Sequence, residues 1–377
     1  MCSIIFIATF RRSPKPETSY ITIRINSTNM TKVYFYATSE KEMRLLNRQD
    51  PDSFLGIHDH FSGEIATSYI YLKKAGLDCE VINTIPEEGI VFADKKSFDK
   101  TLLEIKKYLG RPTRFYKYPG GNAMLIAMKS DFQFYPPAHI NIVHNAVDFQ
   151  KNRNSIWNPY YIISPWPQPG LIPRLKERGC LVENVAYLGD QSQLAEELKS
   201  DKWRDALSSL GCKWWPILEP KKWNDYSNID VVIAARSFDG NPYINKPANK
   251  LINCWRTGVP AIMTPESSIL AEKKSDLDFL LVNSLDEAIS AVSKLKSSPN
   301  LYANMVSNAQ ERAKDFTVEK GCERFMKFFE EFAFPTYNEW IKLTESQKKT
   351  LFWRRCSKLR LDNFKDRTIN SFIERFF

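Results

Sequence analysis

From residue 32 onward, short apolar runs rich in β-branched and aromatic residues alternate with stretches of helical periodicity, the pattern of parallel α/β domains. Runs at 33–37, 79–83, 89–93 and 140–144 predict strands. Ile65, Tyr69 and Leu72 fall on one face of a helix predicted over 63–75, and a second amphipathic helix is predicted over 98–109. The segment Ser164-Pro-Trp-Pro-Gln-Pro-Gly cannot lie inside a helix, because each proline removes a donor and fixes φ, and the inter-domain connection is placed near it. A second series follows, with strands at 184–188, 213–217, 230–235, 259–263 and 279–282 and helices over 192–210, 246–256 and 285–295. Two successive α/β halves predict a cleft between them. The expected division is an extension over 1–29, an N-terminal domain over 30–165, a C-terminal domain over 166–330, and helices with a basic and aromatic tail over 331–377.

Composition narrows the class. At 377 residues and 43% hydrophobic content the chain is too long for one core and too apolar for disorder. Its seven cysteines form no C-x-x-C pair, which fits reduced thiols in a cytoplasmic protein better than a disulfide framework or a zinc site. The apolar run at the N-terminus is too short to span a bilayer and has no leading cationic region, so secretion is not expected. The formal charge of +9 is concentrated at the end, where nine Lys or Arg face three acids from Gln347 onward. That tail either packs back on the N-terminal domain or makes peripheral contact with an anionic membrane through 347–377. Nucleic acid is not an expected partner, since no reader motif accompanies the charge.

The most informative stretch runs from Ala235 to Ile262. A buried strand ends at Arg236, a polar loop with Gly240 and Pro242 crosses the strand tops, and a helix opens near Pro247. Ligands of open α/β sheets bind outside the carboxyl ends of strands, which is where Arg236, Lys246, Asn249 and Lys250 fall. A helix N-terminus assisted by Lys and Arg suits a diphosphate, although the same lysines would also serve as solvated helix residues. Gly189 follows the first strand of the second half, where a glycine permits close approach to a ligand. Glu266 either bonds donor hydroxyls or caps the next helix.

Lys246-Pro-Ala-Asn-Lys-Leu-Ile-x-x-Trp-x-x-Gly-Val-Pro-Ala-Ile resembles the donor-binding helix of GT-B glycosyltransferases. The approach from Trp223 to Ala234 and the helices after Asn283 and Met305 resemble the same family in order. The resemblance implies two Rossmann-like domains facing across a cleft, a nucleotide-sugar donor and a glycan or other hydroxyl acceptor; no cofactor is expected, and no metal, because no further Cys or His cluster completes a shell around the His58-Asp-His60 stretch. Retaining members of one large GT-B family carry two glutamates eight positions apart around this helix. Asn245 and Asn253 stand in those places, which leaves the stereochemistry open. An epimerase or hydrolase on the same fold, or a silent scaffold carried by the basic tail, are the alternatives to transfer.

In the first half, Gly56-Ile-His-Asp-His-Phe-Ser-Gly places His58, Asp59 and His60 just before a helix. An acceptor hydroxyl that attacks an anomeric carbon must lose a proton, and an Asp or His within reach can take it. Gly63 adds backbone N–H groups toward the donor phosphate, while Ser62 would otherwise act as a helix cap. Trp166 and Arg174 flank the proline-rich joint, where they either line the cleft or belong to a stiff linker. The Asp-x-Asp pairs at Asp50 and Asp276 read as solvated turns.

Overall fold

The computed structural model describes residues 31–48, 50–51, 60–108, 110–152 and 160–376. The expected extension over 1–29 and the candidates His58 and Asp59 lie outside these residues. The first half runs β1 (Val33–Tyr36), α1 (Glu40–Leu46), a π-helical turn (Phe61–Ala66) leading into α2 (Thr67–Lys74), β2 (Cys79–Ile82), β3 (Glu88–Asp94), α3 (Lys95–Leu102), β4 (Leu103–Tyr108), β5 (Arg111–Tyr116), β6 (Asn122–Met128), β7 (Ile140–Val143), α4 (Ala146–Asn152) and β8 (Tyr160–Ile162). Six of these strands form one parallel sheet in the order β2-β1-β3-β6-β7-β8.

Alternation along the central strands sends side chains to two cores. Phe35, Ile90, Phe92, Met124 and Ile126 face one core, while Tyr36, Val91, Ala93 and Leu125 face the other. Burial on both faces explains why these strands read as continuous apolar runs.

The second half continues with β9 (Asn184–Leu188), α5 (Asp201–Ser209), β10 (Lys213–Ile217), β11 (Val231–Ala234), α6 (Asn249–Thr257), β12 (Ala261–Met263), α7 (Ser267–Glu272), β13 (Leu280–Leu281), α8 (Leu285–Ser297) and α9 (Pro299–Ala313). Its parallel sheet has the order β10-β9-β11-β12-β13. The order reverses between β9 and β11, and the crevice outside the carboxyl ends at such a reversal is where doubly wound sheets bind ligands. The expected α/β class with two parallel sheets is therefore what the strand pairing shows.

The chain leaves the first domain after Trp166, which is buried in its core, and enters the second by Leu171. It returns between Phe316 and Cys322. Accordingly α10 (Val318–Phe328) packs on the first domain, although the sequence division assigned residues up to 330 to the second. With the π-helical turn that follows it (Phe329–Ala333) and α11 (Phe334–Ile341) it covers one face of the first sheet through Phe325, Phe329, Tyr337 and Trp340. The first part of α12 (Glu345–Phe376) also packs there, with Phe352 buried and the Lys348 ammonium bonded to Asn122.

Three local expectations are corrected. The helix expected over 98–109 ends at Leu102, and β4 pairs with β5 in an antiparallel hairpin turned at Gly110. Leu102, Leu103, Ile105 and Tyr108 fit both a 3.6 and a 2.0 period, and pairing decides in favour of the strand. Trp166 does not line the cleft: its indole N–H donates to Ser68 Oγ and its ring stacks on Phe325. Asp278 is no solvated turn, because it is buried and accepts from the Lys274 and Ser275 backbone and from Asn308.

Trp166 also explains a glycine. A Cβ at Gly321 on α10 would lie 2.4 Å from its ring, closer than any packed side chain tolerates. Gly321→Val is expected to destabilise the chain by ~1–3 kcal/mol through overpacking, measured as a lower urea midpoint with unchanged slope. A double variant with Trp166→Leu should recover part of that loss.

Candidate active site

A cavity of about 330 Å³ lies at the reversal point of the second sheet. Its walls include Leu188, Gly189 and Asp190 at the end of β9, Ala234 and Arg236 at the end of β11, Pro247, Asn249, Lys250 and Asn253 on α6 and its approach, and Glu266 after β12. The structure thus brings Gly189, Arg236, Asn249, Lys250 and Glu266 together around one space.

The N-terminus of α6 forms one end of that space. Ala248 occupies the capping position and no side chain caps the helix, while Ile252 is the first residue whose N–H closes onto Ala248. The N–H groups of the first turn therefore have no partner within the helix, and the helix dipole adds positive potential. Glu266 sits at the corresponding position of α7 but does not cap it. Its buried carboxylate instead accepts from the Arg236 guanidinium. Arg236 is further held by Gln193 Oε1 at 3.3 Å and lies over the Tyr243 ring.

Lys250 lies 4.7 Å from the Tyr187 ring centroid and 3.4 Å from its hydroxyl. A Cβ at Gly189 would come 2.8 Å from the Tyr187 hydroxyl and 2.9 Å from Lys250 Nζ, so the glycine is what allows the lysine to lie there. Burial, reinforced by the Arg236 charge, lowers the Lys250 ammonium to about 7, against the pull of Glu266. Burial raises the Glu266 carboxyl even though Arg236 and Lys250 oppose it. Around the cavity Arg236 and Lys250 face Glu266 and Asp190, so the side-chain charges nearly balance and the first-turn N–H groups of α6 add positive potential at one end.

The first domain closes over the rim of this cavity. Asn145, at the carboxyl end of β7, donates to the Lys246 carbonyl and to Ser267 Oγ, both at 2.9 Å. Its side-chain oxygen Oδ1 accepts from the Val147 and Asp148 N–H groups in the first turn of α4. Asp131, just beyond β6, takes the Lys246 ammonium, and its main-chain carbonyl accepts from Asn245. Lys246 is therefore engaged across the cleft rather than pointing into the cavity. Asn253, the other residue in a glutamate place, donates to Gln168 on the connecting segment.

His60 opens the π-helical turn, with Nε2 3.5 Å from Asp131 Oδ1 and its ring beside Phe132. Gly63 lies on that turn and faces open space, and Ser62 is buried inside the turn instead of capping it. Behind them, buried His144 donates from Nδ1 to the Ile163 carbonyl and turns Nε2 toward Glu64 at 3.3 Å. Burial disfavours its charge, but Glu64 and the Ile163 carbonyl outweigh that and raise the imidazole above its ordinary range.

Arg174 is not part of this site. It bonds Asp230 and the carbonyls of Gly179 and Leu181 at the amino-terminal edge of β9 and β11, the opposite end of the sheet. Being near the joint in sequence did not determine which end of the strands it would reach.

Asp131, Asn145 and the Glu64–His144 pair were missed from sequence, whereas Gln168, expected beside Trp166 in the cleft, does line the cavity. Asn145 had a usable signal, since it lies two residues beyond the end of a buried strand. Among the described residues no three His, Cys, Asp or Glu side chains are grouped as a metal would need. No helix there is long and apolar enough to cross a membrane.

No family model matches the chain, and no curated protein does. Among solved structures it is similar to sucrose-phosphate synthase from Thermosynechococcus elongatus, with a TM-score of 0.47 at 10% identity over 80% of this chain and 99% of that one. It is also similar to HepE from Anabaena in complex with UDP-glucose, with a TM-score of 0.45 at 11% identity over 80% of this chain and all of that one. AviGT4, a glycosyltransferase involved in avilamycin A biosynthesis, gives a TM-score of 0.42 at 11% identity over 84% of this chain and 99% of that one.

Proposed function

We propose that the chain is a glycosyltransferase that moves a sugar from a nucleoside-diphosphate donor to a hydroxyl acceptor. The observation that carries this reading is the cavity at the strand-order reversal, where an uncapped helix N-terminus, Arg236 and Lys250 converge beside a buried carboxylate. Such a space offers guanidinium, ammonium and helix N–H donors to a diphosphate and, in Glu266 and Asn253, acceptors and donors for sugar or ribose hydroxyls. In this reading Lys250, Arg236 and the N–H groups of α6 receive the charge that develops on the departing diphosphate, so that the protein's own cations do the work of a metal.

The acceptor would approach from the first domain, where His60 and Asp131 stand at the rim. Asp131 orients the imidazole, and His60 takes the acceptor proton. The family resemblance of the 246–262 stretch supports the same assignment.

Purified protein incubated with a panel of nucleotide sugars should release nucleoside diphosphate slowly to water and faster once a suitable hydroxyl acceptor is present. His60→Ala is expected to lower kcat for transfer by ~10²–10⁴-fold, with the donor dissociation constant little changed. Absence of turnover, together with absence of a thermal shift with any donor or free nucleotide, would overturn the reading. Product in which the sugar is isomerised, with no acceptor requirement, would replace transfer by epimerisation.

A further inference from the structure

Two elements of the chain carry a strong excess of positive charge. Residues 103–118, the β4–β5 hairpin and its exit, carry Lys106, Lys107, Arg111, Arg114 and Lys117 against Glu104. Residues 345–376 of α12 carry nine cations against four acids. Their excesses of four and five together equal the net +9 of the chain; of the α12 cations Lys348 and Arg355 are buried, while Lys349, Arg354 and Arg360 are exposed.

These elements are adjacent. The Arg360 guanidinium lies 5.7 Å from the Phe115 ring centroid, Tyr118 packs on Phe352 at 5.4 Å, and the Tyr118 hydroxyl donates to Glu345. They also bear the three most exposed large hydrophobic residues among those described: Ile105 at 66%, Leu361 at 60% and Trp353 at 56%. On α12 the exposed positions Trp353, Arg354, Ser357, Arg360 and Leu361 follow helical spacing, so the outward stripe alternates apolar groups with arginines. On the hairpin, Ile105 is paired directly with exposed Arg114, and Lys106 and Lys107 follow it.

We infer that the hairpin and the outer stripe of α12 form one docking surface for an anionic lipid bilayer. Cations near such a surface each strengthen partition roughly fivefold, and apolar side chains between them enter the headgroup boundary. A nucleic acid would use the cations but gains little from two exposed aliphatic side chains, which is why lipid is the better occupant. The surface has a direction as well. α12 starts beside Asn122 at the foot of β6 and reaches Phe134 and Val143 near the carboxyl ends of the sheet, the side that faces the second domain. Docking there would hold the rim of the first domain beside the lipid surface. The inference rests on charge and exposure, independently of the transfer reading.

Flotation of the full chain with vesicles tests it. Vesicles of phosphatidylcholine with about a third phosphatidylserine or phosphatidylglycerol should carry the protein at about 0.1 M salt, and pure phosphatidylcholine should not. Trp353→Ser and Ile105→Ser should each lower the partition coefficient roughly tenfold, and the double charge reversal Lys106→Glu with Lys107→Glu should lower it further. All three alter exposed positions, and unchanged circular dichroism and melting temperature would verify the fold. Equal binding to neutral and anionic vesicles, wild-type binding by the variants, or no flotation would overturn the inference. Tighter capture by an oligonucleotide than by vesicles at the same salt would also overturn it and assign the surface to nucleic acid.

Discussion

Lys250→Met is expected to lose about 10–100-fold in affinity for a nucleoside diphosphate while making the protein more stable below neutral pH. The first effect follows from removing a charged donor from the cavity beside the α6 N-terminus, where a charge-assisted bond contributes ~1.5–3 kcal/mol. The second follows from the lowered ammonium pKa, caused first by burial and then by Arg236. A folded value of about 7 lies below the unfolded value of roughly 10.4, so the unfolded chain binds more protons between them. Stability due to this residue therefore rises with pH across that window and is lowest below about 7. Methionine removes the penalty, so the variant should melt higher at pH 6, and the difference should fade as pH approaches 10.

An anion in the cavity reverses the balance by favouring the charged lysine. Nucleotide binding at pH 8 should take up a proton, visible as buffer-dependent heat in titration calorimetry, and affinity should fall as pH rises above about 7. Lys250→Met should flatten that dependence. Buffer-independent heat in the parent, or a variant that binds as tightly as the parent, would exclude Lys250 as the diphosphate contact.

Why this lysine was legible in the sequence, and other residues were not, has a physical answer. Arg236, Lys250 and Gly189 each follow a short buried strand or open the next helix, and parallel sheets deliver those positions to one edge whatever the rest of the chain does. Lys246 obeys the same rule locally, yet its ammonium goes to Asp131, 115 residues earlier, a pairing that depends on how the two domains meet. Nothing periodic encodes that contact. β6 was overlooked because Asn122-Ala-Met-Leu-Ile-Ala-Met is rich in good helix formers, and it becomes a strand by pairing with β3 along seven residues. The two Asn residues in the glutamate places were noticed from sequence, but only the structure shows that Asn245 and Asn253 bond to Asp131 and Gln168, two of the groups that join the domains.

Asp230→Ala is expected to cost ~3–5 kcal/mol of stability, the largest loss of any single substitution argued from this structure. The carboxylate is fully buried and accepts from Arg174, from Arg178, and from the Glu183 and Asn184 backbone. Truncation would strand two guanidinium groups and two N–H donors at the amino-terminal edge of the sheet. Burial alone would raise the Asp230 carboxyl, but Arg178, the two backbone donors and Arg174 outweigh it and lower it. Its contribution is therefore complete above the ordinary carboxylate pKa of about 3.9 and is lost as pH falls through the lower folded value. Denaturant midpoints should show the parent converging on the variant in acid. Arg174→Ala separates this role from the one the sequence suggested. It should lower stability by a smaller amount, because Arg178 and the backbone donors still hold Asp230, and it should leave nucleotide affinity within about twofold, as expected for a residue at the far end of the strands. A tenfold loss of nucleotide affinity without a loss of stability would instead return Arg174 to the cleft.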